Sequence, residues 1–225
     1  MNSIISCKNI YKSFSNIEVL KGIDLNIKKG EIVSIVGPSG SGKTTLLHIL
    51  GTLENPDPER KPELIIDSQS VMRLNDNQKA ILRNKKLGFV FQFHELLPEF
   101  TAIENICMPS WISKKNDKSI KEDAMNILSE LDLLKMANKK PDEMSGGERQ
   151  RVSVARSLMN SPKIVFADEP SGNLDSENSK TLYNLFYEVR KKIGCSFLIV
   201  THDLKIANMS DRKIVLKDGK IINES

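Results

Sequence analysis

The first 36 residues alternate short apolar runs with polar positions. Ile4-Ile-Ser-Cys-Lys-Asn-Ile10 opens the pattern, and Val19-Leu20, Ile23, Leu25 and Ile27 continue it against polar neighbours. Such alternation predicts half-buried antiparallel strands, with Lys28-Lys-Gly30 as the turn that leaves them. Glu31-Ile-Val-Ser-Ile-Val36 is different, being mostly apolar and β-branched, as a strand buried on both faces requires. Similar runs return at Leu87-Gly-Phe-Val-Phe91, Pro162-Lys-Ile-Val-Phe-Ala167 and Phe197-Leu-Ile-Val-Thr201, with a shorter one at Leu64-Ile-Ile66.

Between these runs the spacing becomes helical. Leu46-Leu-His-Ile-Leu50 ends at Gly51, residues 76–83 form a short helical stretch, and Ile120, Ala124, Ile127, Leu128 and Leu131 share one helix face. Ser119 and Glu122 have capping-box spacing, which predicts that this helix starts at Ser119. Trp111 reads as packing over it rather than as a partner anchor, and the four lysines of residues 114–121 read as a solvated face. Leu182, Leu185, Phe186, Val189 and Ile193 mark a further helix, closed by Lys191-Lys192 and Gly194. Residues 54–63 are a polar, proline-rich loop. Strands alternating with helices predict an α/β fold with a mostly parallel sheet and ligand groups at the strand ends, preceded by an antiparallel opening. There is no internal repeat and no low-complexity segment.

Bulk composition adds limits. A chain of 225 residues supports one sizeable core and a smaller lobe rather than two full domains. With 39% hydrophobic and 28% charged residues it is an ordinary globular composition. The net charge of +4 suits a phosphate ligand or an anionic surface, and equally an unremarkable solvated surface. Cys7, Cys107 and Cys195 lie far apart, which argues against a zinc site or a disulfide framework and for a reducing cytosol. No signal-like N-terminus is expected, and no run approaches the roughly 18 apolar residues of a membrane span. If the protein works at a membrane, another chain does the crossing.

The chemistry starts at Gly37-Pro-Ser-Gly-Ser-Gly-Lys-Thr-Thr45, between a buried strand and a helix. This is a phosphate-binding P-loop in its proper context. Gly37, Gly40 and Gly42 let the backbone curl so that N–H groups converge at a helix N-terminus, where the dipole also favours anions. Pro38, Ser39, Ser41 and Thr45 complete the loop; Lys43 supplies a mobile charge for the outer phosphates and Thr44 a hydroxyl for Mg²⁺. Asp168-Glu169 closes an apolar strand in the manner of a Walker B motif. Asp168 is placed to hold Mg²⁺ and Glu169 to polarise an attacking water. His202-Asp203 follows the last of these strands. The ligand predicted is a nucleoside triphosphate with Mg²⁺.

Ser145-Gly-Gly-Glu-Arg-Gln-Arg151 presents a second serine-and-glycine helix start suited to phosphate, but without a lysine. With this motif, nearly the whole chain resembles the ATPase subunit of an ABC transporter. The resemblance implies a P-loop core, an N-terminal antiparallel β subdomain and an inserted helical lobe, with residues 1–90 and 160–225 as core and about 93–159 as lobe. It implies a head-to-tail homodimer in which Ser145, Gly146 and Gly147 of one copy close over ATP held by the other. Tyr11, which by position alone reads as a half-buried surface aromatic, matches the family's adenine-stacking residue. Gln92 matches the glutamine that touches Mg²⁺ and the membrane partner, Gly172-Asn-Leu-Asp175 the D-loop, and His202 the switch histidine at the γ-phosphate. Lys43, Gln92, Glu169 and His202 are thus the implied catalytic set, and Asp175 joins the nucleotide contacts.

Within the family, one P-loop and the lack of a long heptad array disfavour the tandem translation-factor and the DNA-repair types. Gly172-Asn173-Leu174, Arg149-Gln-Arg151 and the segment from Phe91 to Ile106 are similar to the lipoprotein-releasing subgroup, with macrolide exporters and cell-division ATPases as its neighbours. Membership implies a peripheral protein on the cytoplasmic face of the inner membrane, integral permease subunits as partners and no nucleic acid. The cargo and the permease cannot be read from this chain. The pattern departs in three places: no glycine stands where Lys61-Pro62-Glu63 lie, Ser68 replaces another glycine, and Ser171 replaces a threonine. Phe91, Phe93, Leu96, Leu97 and Phe100 crowd around Gln92, either as core of the helical lobe or as a groove for a short permease helix.

Overall fold

The computed structural model describes residues 3–113 and 117–225. The first elements are β1 (Ser3–Phe14), β2 (Ile17–Lys28), β3 (Ile32–Val36), α1 (Lys43–Leu50), β4 (Glu63–Ile66), β5 (Gln69–Ser70), α2 (Asp76–Lys86) and β6 (Leu87–Phe91). There follow α3 (Ala102–Ile112), α4 (Asp117–Glu130), α5 (Gly146–Leu158), β7 (Ile164–Asp168) and α6 (Ser176–Ile193). The last are β8 (Ser196–Val200), α7 (Leu204–Ala207), β9 (Arg212–Lys217) and β10 (Lys220–Glu224).

The strands form two sheets. One is antiparallel, in the order β2-β1-β4-β5; the other has the order β10-β9-β3-β8-β7-β6 and is parallel except for the β9–β10 hairpin. In β3, β7 and β8 every second side chain enters a different core. Val33, Ile35, Ile164, Phe166, Leu198 and Val200 face α1 and the antiparallel sheet. Ile32, Val165, Ala167, Phe197 and Ile199 face the other way, toward α5 and α6. Burial on both faces explains why these strands read as continuous apolar runs. Phe166 is fully enclosed, so its truncation to alanine would cost about 3–5 kcal/mol.

A third core lies among α3, α4 and α5, centred on Ile106, Ile120, Ala124, Leu128 and Val152. Trp111 packs against its edge, as its position suggested. The start of α4 differs from expectation. The helix begins at Asp117, two residues ahead of Ser119, which sits inside the first turn. Lys114 and Lys115 of the lysine run lie outside the described residues. All three cysteines are buried and none is in a disulfide, and burial pushes the thiols of Cys7 and Cys195 up to about 12, so neither ionises readily.

Candidate functional site

The P-loop leaves the end of β3 beside β9. A Cβ on Gly37 would stand 2.0 Å from the Leu216 carbonyl oxygen, so only glycine lets the loop pass that backbone. Gly42, with φ +100°, is the residue before α1 and gives the helix no side-chain cap. The first N–H groups of α1 therefore have no acceptor in their own helix and face the loop's concavity. The Lys43 ammonium lies back over the loop, donating to the carbonyls of Gly37 (2.9 Å) and Pro38 (3.0 Å). The Ser41 hydroxyl is buried and finds no partner among the described residues. An uncapped helix start, a folded-back cation and an orphaned hydroxyl together fit a polyphosphate. Ser39, Gly40, Gly42, Lys43, Thr44 and Thr45 line an open cleft of about 410 Å³ there.

Across the cleft stands the tip of β7. Asp168 accepts a hydrogen bond from the Thr44 hydroxyl at 3.1 Å, so two of the three predicted Mg²⁺ ligands already touch. Burial pushes the Asp168 carboxyl above the usual carboxylate range, against the lowering effect of Thr44 and of His48 and Lys43 nearby. A divalent cation at this point would reverse that pressure. Glu169 follows with φ +45°, in the left-handed region that side-chain-bearing residues rarely occupy. Its N–H is held by the Val200 carbonyl (2.9 Å) and its carboxylate by His202 Nδ1 (2.8 Å). The strained backbone aims this carboxylate along the sheet edge. His202 is largely exposed beyond it, able to let go of Glu169 and reach another oxygen.

Gln92 emerges at the same sheet edge, because the register of β6 and β7 sets Phe91 opposite Asp168. Its amide approaches the Asn173 side chain (3.5 Å), and Asn173 donates back to the Gln92 carbonyl (3.1 Å). The Gln92 loop and the D-loop are thus joined. Ser145 caps α5 in a full capping box, its hydroxyl accepting from Glu148 N–H (3.3 Å) and its own N–H donating to the Glu148 carboxylate (2.7 Å). Asp175 caps α6 by accepting from the N–H groups of Glu177 and Asn178. The two helix starts are packed together, since a Cβ on Gly147 would meet Asn178 Oδ1 at 2.7 Å. Neither Ser145, Gly146, Gly147 nor Asp175 lines the P-loop cleft of the same chain.

Comparison with known proteins adds to this geometry. The family model described as ABC transporter matches residues 20–172. The chain belongs to the ABC transporter family. This ABC protein is 51% identical to the lipoprotein-releasing system ATP-binding protein LolD of Bacteroides thetaiotaomicron, over 97% of this chain and 99% of that protein. It is 46% identical to the LolD of Aquifex aeolicus, over 100% of this chain and 98% of the relative. Among solved structures it superposes on the dimeric bacterial ABC transporter cassette MJ0796 with a TM-score of 0.88 at 38% identity, covering 98% and 97% of the two chains. MJ0796 is also known in a dimeric post-hydrolysis state bound to ADP and Pi, with a TM-score of 0.87. The cassette fold binds ATP and ADP, and this ABC protein is an ATPase.

One assignment needs correction. Tyr11 does not face the nucleotide cleft; its ring lies against Gly22 on one side and under the Arg60 guanidinium, 4.8 Å from the ring centroid. Phe14 lines the cleft instead, 47% exposed beside Val19. The β1–β2 ladder shifts register between Ile10 and Tyr11 and again between Lys12 and Ser13. Each irregularity resets which face a side chain takes, so the family match put the platform on the wrong aromatic. The reading of Tyr11 by position as a half-buried surface residue agrees with the structure. Other residues went unnoticed in the sequence. Asn105 is buried and satisfied, accepting from Leu97 N–H (2.8 Å) and donating to the carbonyls of Leu97, Phe100 and Thr101 (3.1 Å each). A lone Asn within an apolar helix was the available signal.

The apolar segment after Gln92 resolves toward a surface. None of its five large side chains is fully buried; Phe93 is 69% and Leu97 40% exposed. Beside it, Leu53, Phe89, Phe91, Met108, Pro109 and Ile112 line an apolar groove of about 400 Å³.

Proposed function

We propose that this ABC ATPase is the nucleotide-hydrolysing subunit of a lipoprotein-releasing system, driving a separate permease from the cytoplasmic face of the inner membrane. The observation that carries the proposal is end-to-end identity of about half with LolD proteins. No helix among the described residues is long and apolar enough to cross a membrane, which supports a peripheral position with the crossing left to the permease.

Residues 37–45 hold the triphosphate, the uncapped start of α1 and Lys43 neutralising its outer charge. Thr44 and Asp168, already in contact, hold Mg²⁺ with Gln92 at the rim; the ion supplies charge stabilisation for the transferring phosphoryl group. Glu169 orients and deprotonates the attacking water, with His202 moving from Glu169 to the γ-phosphate. Phe14 provides the adenine platform. Ser145, Gly146, Gly147 and Asp175 lie away from this cleft, and the dimer known for MJ0796 supports a head-to-tail pair in which they complete the partner's site. The groove beside Phe91 takes a short apolar permease helix, with Phe93 and Leu97 at its rim.

The test is reconstitution with its partner permease, in vesicles carrying an acylated lipoprotein. ATP should release the lipoprotein to a soluble acceptor, and Glu169→Gln should abolish release with a ~10²–10⁴-fold loss of turnover, the worth of a positioned general base. Leu97→Glu should fold normally, since the side chain is exposed, yet lose permease-stimulated turnover. ATP-dependent binding of the permease with no release would favour instead a subunit of the cell-division type, which regulates a membrane partner without transport.

A further inference from the structure

Helix α5 grips the Gln92 loop on both shoulders. Before Gln92, the fully buried Gln150 donates from Nε2 to the Phe91 carbonyl at 3.4 Å. After it, the half-buried Arg156 donates to two successive carbonyls, His94 (2.9 Å to Nη2) and Glu95, through the two arms of its guanidinium. His94 and Glu95 are also two successive residues in the left-handed region, with φ +63° and +50°. L-residues resist that conformation, and neither is glycine. Without an external hold the pair would relax toward ordinary backbone, and Gln92 would move with it. Arg156 also lines the apolar groove that the loop borders.

From this geometry we infer that Arg156 is the positioning residue for Gln92: its planar fork fixes the strained turn at 94–95 and so sets where the Gln92 amide stands against the D-loop and the nucleotide. Gln150 is the secondary hold. The same helix carries the signature serine and glycines at its N-terminus, so movement of α5 would be passed to Gln92 through these bonds. Lysine cannot substitute, because one ammonium does not span two carbonyls in a fixed fork. The inference rests on Gln92 belonging to the nucleotide site, as proposed above.

The experiment is a double-mutant cycle on steady-state ATP hydrolysis, with nucleotide binding and melting curves measured alongside. Arg156→Lys should lower kcat by about tenfold, a modest share of what a displaced catalytic group can lose, while the ATP dissociation constant stays within about twofold. In a Gln92→Ala background the same substitution should change kcat by less than about twofold, because residues acting through one another do not add. Full multiplicative loss in that background, or wild-type kcat in Arg156→Lys, overturns the inference. Should Arg156→Lys melt too early to assay, Gln150→Met, which removes one bond at nearly constant volume, must show the same non-additivity on a smaller scale. If Gln92→Ala itself turns over normally, the role of Gln92 fails first and the inference falls with it; that result is distinct from failure of Arg156 alone.

Discussion

Two helix starts in this protein look alike in sequence and differ in what they leave open. At α1, Gly42 offers no side-chain cap and Lys43 lies folded back onto the loop's own carbonyls. At α5, Ser145 and Glu148 satisfy each other's backbone N–H groups. The first is built to bind phosphate strongly within its own chain, since its donors have nothing else to do. The second is a finished helix start whose spare resource is the Ser145 hydroxyl proton and the N–H groups of Gly146 and Gly147. It can add donors to a phosphate already held elsewhere, but it has no cation to capture one. A site shared between two copies needs that asymmetry: one end grips, the other only closes.

The largest break in the comparison is Lys43→Ala. It removes the only cation of the loop and should lower turnover by about 10²–10³-fold, the usual loss on deleting a preorganised charge stabiliser. ATP affinity should fall strongly as well. Nucleotide titration and hydrolysis on the same preparation check both, and near-wild-type binding would mean that the open helix start suffices alone.

Ser145→Ala addresses the other start. Loss of an N-cap serine costs about 1 kcal/mol of stability, a small sum for this chain, and ATP binding by the monomer should not change. Turnover should fall about tenfold if the hydroxyl closes over the partner's nucleotide. Turnover at the wild-type level, with an unchanged melting temperature, would make the hydroxyl dispensable.

These two starts were legible in the sequence because each is contiguous: strand, loop and helix stand side by side in a few residues. Asp168 and Glu169 were legible for the same reason, at the end of an apolar run. What spans distance or breaks a period was not. The choice of Tyr11 as adenine platform rests on the family resemblance alone. Its position by itself, which reads as a half-buried surface aromatic, is the better guide, because register shifts in β1 decide which aromatic reaches the cleft. Helix α3 went unread because Ile103, Ile106, Cys107, Met108, Trp111 and Ile112 spread around it and Pro109 interrupts it, leaving no clear helical stripe. The hairpin of β9 and β10 also went unread, although Ile214-Val-Leu216 is as long an apolar run as the one read as a strand at Leu64-Ile-Ile66. The hold of Arg156 on the Gln92 loop joins residues 61 and 62 positions apart, which no local pattern can show.

Asp168→Asn sharpens the contrast from the side of stability. Burial raises the folded pKa of Asp168 above its ordinary value near 3.9. A raised carboxyl stabilises the fold while protonated, and that contribution is lost as pH rises through the folded value. At neutral pH the nucleotide-free protein therefore carries an unfavourable charge opposite the open helix start. The asparagine variant should melt higher than the parent at pH 7.5 without nucleotide. Its advantage should shrink as the pH falls toward the ordinary carboxylate range, and it should lose the extra stability that Mg²⁺ with ATP gives the parent. An asparagine variant that melts lower at every pH would contradict the raised pKa.

The smallest expected effect comes from a turn outside both helix starts. The sequence lacks glycine at two places where the family usually has one, and in both the backbone keeps the glycine-like shape: Lys61 has φ +50° and Ser68 has φ +66°. Ser68 follows Asp67, with φ +43°, in the two-residue turn between β4 and β5, where Ile66 pairs with Gln69. Two successive positive φ values suit a type I′ hairpin, for which Asp-Gly is among the preferred pairs. Asp67 must stay, since its carboxylate binds Lys29 and Lys86. Ser68 is exposed and has no such duty. Ser68→Gly relieves a left-handed penalty of about 1–2 kcal/mol and gives back about 0.5–1 kcal/mol through the looser unfolded chain. A net gain of ~0.5 kcal/mol follows, about 1–2 °C in melting temperature, with hydrolysis unchanged. The same reasoning cannot be carried to Glu169, whose left-handed backbone aims a carboxylate, so Glu169→Gly should trade turnover for whatever stability it gains. If Ser68→Gly left the melting temperature unmoved or lowered it, the positive φ at this turn would be costing the fold nothing, and the contrast between strain kept for a site and strain merely tolerated would lose its control.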